Sequence, residues 1–164
     1  MASLQDILRI FLVGIGATAV LDAWLMVLRR LGIPVLRIEF IGRWVGHFQH
    51  GRFAHAAIAQ SAAVPGERAL GWIAHYAIGI AFALLLAGLQ GVAWLQAPTP
   101  LPAVAVGLVT ALVPLCVMQP AMGAGFASSK TPTPLRNTLR SVANHAVFGL
   151  GLYVSAVLLA RLAA

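Results

Sequence analysis

Acidic residues are scarce in this chain, four in 164, and charged residues of both signs together make up only 9%. A soluble domain carries about 25% charged residues to keep its surface in water, so this deficit excludes water as the main solvent. Cysteine is almost missing as well. The lone Cys116 lies in an apolar stretch, which rules out an intramolecular disulfide and a dithiol oxidoreductase. There is no nucleophile elbow, no phosphate-cradling glycine loop and no paired-carboxylate hydrolase motif, so no enzyme is expected.

What fills the chain is hydrocarbon: 60% hydrophobic residues and a mean hydropathy of +0.90. Crossing a bilayer core about 30 Å thick takes about 20 apolar residues at 1.5 Å rise. The length of 164 residues therefore holds four spans with their loops, in a single membrane domain covering 1–164. The spans are expected at 8–28, 69–95, 101–121 and 141–161, with Gln96 to Pro102 as a tight, proline-blocked turn between the middle two. The fold class is all-α, a polytopic helical bundle. The first ten residues carry no net positive charge and no small-residue cleavage motif follows, so the first span is expected to stay attached.

The formal charge of +7 and pI near 11.4 would suit a nucleic-acid binder, but the basic residues concentrate in two loops beside apolar segments. No nucleic-acid partner is expected; the partner is the lipid bilayer. Loop 29–68 holds Arg29, Arg30, Arg37, Arg43, Arg52 and Arg68, and loop 122–140 holds Lys130, Arg136 and Arg140, against only Arg9 and Arg161 on the other side. The positive-inside rule makes both loops cytoplasmic and both termini non-cytoplasmic, in a bacterial inner membrane. Within the first loop, Ile38, Phe40, Ile41, Trp44, Val45 and Phe48 alternate with arginines, the pattern of a segment lying in the headgroup plane. Trp24, Trp72 and Trp94 near span ends read as interfacial anchors.

Two phrases repeat. Thr18 to Met26 aligns with Thr110 to Met118, and His75-Tyr-Ala-Ile-Gly79 with His145-Ala-Val-Phe-Gly149, which suggests a parallel repeat of two helical hairpins. Gly14, Gly16, Gly79, Gly149 and Gly151 read as close-packing positions. Pro114 and Pro120 should bend or end the third helix beside Met118.

The informative feature is polar. Asp22 lies six residues before the end of the first span and His75 six after the start of the second, each about 9 Å deep, with Asn144 and His145 entering the fourth span and Met118 and Gln119 closing the third. An ionised Asp costs about 2.5–3.5 kcal/mol at a helix centre, so such groups face the bundle and pair. Three readings fit. In the first, the layer is structural and binds nothing. In the second, His75 and His145, with Met118, Asp22 or His47, hold a transition metal or a haem b, Gln119 and Asn144 supporting the layer. In the third, Asp22 or a histidine couples proton movement to transport, as the first-helix acid does in small multidrug exporters, which share only that position; a transport path would call for a homodimer. His47, His50 and His55 could add loop ligands, although solvated or lipid-facing histidines are the simpler reading.

The chain resembles a family of small bacterial four-helix membrane proteins known as a domain of unknown function. Gly14-Ile-Gly-Ala-Thr-Ala-Val-Leu-Asp22, Gly42-Arg-Trp-Val-Gly-His47, Leu70-Gly-Trp-Ile-Ala-His-Tyr76, Val117-Met-Gln-Pro120 and His145 to Tyr153 carry the resemblance over nearly the whole length. It implies a four-span inner-membrane protein and supplies no reaction, ligand or catalytic residue.

Overall fold

Ser3 starts the first helix. Its hydroxyl accepts the Asp6 amide at 3.1 Å while the Asp6 carboxylate accepts the Ser3 amide at 2.9 Å, a reciprocal cap that also sets an acid at the positive end of the helix dipole. Helix α1 then runs Leu4–Arg30 and closes on two arginines, beyond which Gly32 takes φ 73°. In this computed structural model the described residues are 3–162. Among them there are helices and turns and no strand.

The first loop contains α2 (Ile38–Gly46), the amphipathic segment expected there, which buries Ile41, Gly42 and Gly46. Helix α3 (Glu67–Gln90) stops earlier than residue 95, because Gly91 adopts φ 76° and turns the chain. Residues Val92–Leu95 form a separate 3₁₀ turn, and Trp94, expected as an interfacial anchor, is instead buried in a hydrophobic core at 7% exposure. Helix α4 (Pro100–Thr110) takes Pro100 and Pro102 into its first turn, where a missing N–H leaves no bond unmade. After it, Pro114–Met118 is π-helical, with the Gln119 amide donating five residues back to the Pro114 carbonyl, and α5 (Gln119–Ala121) completes the bent third segment. Helix α6 runs Pro134–Leu162 and so begins well before residue 141. Among the described residues, the helical runs Leu4–Arg30, Glu67–Gln90, Pro100–Ala121 and Pro134–Leu162 are the four long and apolar enough to cross a membrane.

The chain divides into two compact units. One holds the residues up to 33, 76–110 and from 144 onward. Its core is Ile10, Val13, Ala17, Leu86, Phe148 and Leu152 with their neighbours. Two crossings in it are alike. On α1, a Cβ at Gly14 would meet the Ile80 Cα at 2.6 Å and one on Gly79 would fall on the Thr18 hydroxyl; on α4, a Cβ at Gly107 would meet the Gly149 Cα at 2.6 Å. Each crossing thus presses a glycine of the repeated His-x-x-x-Gly phrase onto the helix that carries the repeated threonine. Thr18 and Thr110 both donate back to a carbonyl one turn earlier, Gly14 at 2.8 Å and Gly107 at 2.7 Å.

The other unit holds residues 34–75 and 111–143. Here α2 lies on the start of α3, and a Cβ at Gly42 would fall on the Glu67 carbonyl, one at Gly71 on that of Ile38. Arg43 holds the Glu67 carboxylate through two bonds of 2.8 Å and donates also to the carbonyls of Ile58 and Ser61 at 3.3 and 3.1 Å. The Glu67 carboxylate holds the guanidinium charged, above its ordinary range. Ile41, Ile58 and Met122 form a small core, and segment 55–58 is stitched to residues 121–122 by His55 N–H to Ala121 O at 2.8 Å and Ile58 N–H to Met122 O at 3.0 Å. Gly123 stands at φ 93° where this approach is closest, since a Cβ there would strike the Ala56 carbonyl.

Candidate functional site

Three polar pairs occupy the apolar helices of the first unit. Asp22, half-buried on α1, accepts a hydrogen bond from the Tyr76 hydroxyl at 2.9 Å. Trp24, two residues later, donates its indole N–H to Asn144 Oδ1 at 3.0 Å, which assigns the amide so that its Nδ2 points the other way. The third pair fixes a tautomer. Thr110 has one hydroxyl proton, and the Gly107 carbonyl at 2.7 Å takes it. The contact of 3.1 Å between Thr110 Oγ1 and His145 Nδ1 therefore has the imidazole N–H as donor. His145 Nε2 is left with the lone pair. The ring packs beside Phe82, 6.1 Å between centroids, in an apolar wall that Phe148 continues.

The second unit receives the other predicted residues. His75 meets the Trp72 ring edge-on at 6.0 Å. Met118 packs with the apolar cluster of Ile41, Ile58 and Met122. Gln119 Oε1 accepts from the Ser128 hydroxyl at 2.9 Å. His47 is buried, and its Nδ1 lies 2.6 Å from His55 Nε2 with the rings stacked at 26°. Burial, with the neighbouring His47 and Arg52, pushes the His55 pKa below its ordinary 6.5. The His55 Nδ1 is buried without a hydrogen-bond partner among the described residues. His50, three residues after His47 on the same 3₁₀ turn, is exposed.

Sequence reasoning had singled out Asp22, Asn144, His145 and His47 but not their partners Tyr76, Trp24 and Thr110. The partner residues did carry a signal: Tyr76 is one of two tyrosines in the chain and adjoins His75, and Thr110 anchors the repeated phrase. No group of three or more His, Cys, Asp or Glu side chains is poised around a metal position among the described residues.

A family profile described as a protein of unknown function, DUF2938, matches residues 11–159. The chain belongs to that family. No curated protein and no solved structure matches it.

Proposed function

We propose that this multi-pass membrane protein ligates a transition-metal centre, either haem iron or a bound first-row ion, through His145. The observation that carries the reading is the Thr110 contact: metal-ligating histidines have their second ring nitrogen tied to an acceptor, which fixes the tautomer and aims the free lone pair. An apolar surround of Phe82 and Phe148 suits a site that excludes water. Of the polar-layer residues, Asp22 belongs to the same unit and is the candidate for a further ligand. The basic loops are cytoplasmic and the termini lie on the other face of a bacterial inner membrane.

The test is a visible spectrum with parallel elemental analysis on the wild-type chain and on His145→Ala, purified in mild detergent. A reduced-minus-oxidised haem spectrum or stoichiometric metal in the wild type, lost in the variant, supports the reading. A colourless, metal-free wild type, or equal occupancy in both, rejects it. The Tyr76 bond to Asp22 favours a second reading, proton-coupled transport, since an intramembrane acid with a protonatable partner can exchange a proton. Asp22→Asn should then abolish pH-gradient-driven flux at unchanged expression, and flux that persists removes Asp22 from that role.

A further inference from the structure

Outside the spans, the second unit carries an unusual arrangement of two imidazoles. His47 and His55 are each 7% exposed, their facing nitrogens are 2.6 Å apart, and the carboxylate of Glu67 in the same unit is already engaged by Arg43. Neutral rings own one N–H apiece. Only one can lie between them, so whichever tautomers are chosen, the buried His55 Nδ1 keeps an unspent N–H or an unspent lone pair. Burying a polar group without a partner costs about 1–3 kcal/mol by mutational measures, and nothing in the apolar packing of Ile41, Ile58 and Met122 requires a histidine here.

We propose that the His47–His55 pair is a capture site for a divalent first-row metal ion of the Cu2+ or Zn2+ kind, in which the ion replaces the proton shared by His47 Nδ1 and His55 Nε2. Both nitrogens then donate lone pairs, and the displaced proton moves to the outer nitrogen of its own ring, so both imidazoles stay neutral. A tetrahedral ion with metal–nitrogen bonds of about 2.0–2.1 Å sets two ligands about 3.3 Å apart. The pair must open from 2.6 Å by about 0.7 Å, a small movement for stacked side chains on a short turn and a loop. The local architecture supports that movement without loss of the frame. His47 sits at the start of the His47–His50 turn, whose end is capped by Gly51 at φ 66°, while His55 is held by its own backbone bond to Ala121.

His50 lies exposed on the same turn, and the described residues offer no third His, Cys, Asp or Glu ligand to the pair. Imidazoles without thiolate or carboxylate select copper(II), zinc and nickel over magnesium or calcium. This capture site is independent of the intramembrane ligation through His145, and either can fail alone.

The experiment is equilibrium dialysis of the full chain in detergent against Cu2+ and Zn2+ separately, with electron paramagnetic resonance of the Cu2+-loaded protein. One ion per chain beyond any held through His145, with two imidazole nitrogens in its coordination, is expected. His47→Gln and His55→Gln should each weaken binding by at least about tenfold, the lower end of what even an outer-shell loss costs. His145→Ala removes any ion held there and should leave this one bound. No ion bound to the wild type, fewer than two imidazole nitrogens, or unaltered affinity in both Gln variants would overturn the site. Because the spectrum is read on the wild-type chain, the outcome does not depend on the variants folding.

Discussion

Single side chains decide how the polar groups of this protein survive away from water. Tyr76 supplies a donor to the half-buried Asp22, so Tyr76→Phe leaves that carboxylate one bond short. The variant should lose about 1–3 kcal/mol, the cost of an unsatisfied partner, measured by denaturant titration in micelles with tryptophan fluorescence. An unchanged midpoint would mean that water replaces the hydroxyl. Arg43 shows the same rule with charge. Its planar fork matches the Glu67 carboxylate bidentately and reaches three further carbonyls, so Arg43→Ala should cost about 2–3 kcal/mol in the same assay. Arg43→Lys should recover less than half of that loss, because one ammonium cannot reproduce the fork.

At the scale of elements, close approach of backbones sets which side chains meet. Gly107 lies on Gly149 and on the His145 carbonyl, each 2.6 Å from where a Cβ would stand. Gly107→Ala should therefore push α4 from α6, costing about 1–3 kcal/mol as overpacking does, and it should disturb the Thr110–His145 bond. Retention of full stability would show that the crossing can relax. Helix ends follow local chemistry: the Ser3–Asp6 box starts α1 and Gly91 stops α3. The third segment differs, since Pro114 and Pro120 withhold two amide donors and the chain answers with a π-helical turn instead of a break.

For the whole molecule, the loop charges make a prediction about sidedness. In a Cys116→Ser background, single cysteines at Gln49 in the first loop and Gln96 in the middle turn, both exposed, should be labelled from opposite faces, Gln49 from the cytoplasm. Labelling of both from one face would refute the four-span threading, and reversed labelling would refute only the orientation.

Much of the fold was legible in advance. Four apolar runs, a turn between the middle two and the amphipathic stretch holding Trp44 could all be read from local composition, because transfer to hydrocarbon is a sum over neighbouring residues. The histidines and Asp22 could be singled out for the same reason, as costly groups in a cheap background. The boundaries at Gly91 and Pro134 were not, since helix ends depend on one residue's dihedrals and caps. Nor could any sum reveal that Thr110 fixes His145, that Tyr76 serves Asp22, or that His47 faces His55. Those partners lie up to 54 residues apart in sequence, and their meeting depends on how glycine-lined helices rotate and cross, which only the tertiary structure decides.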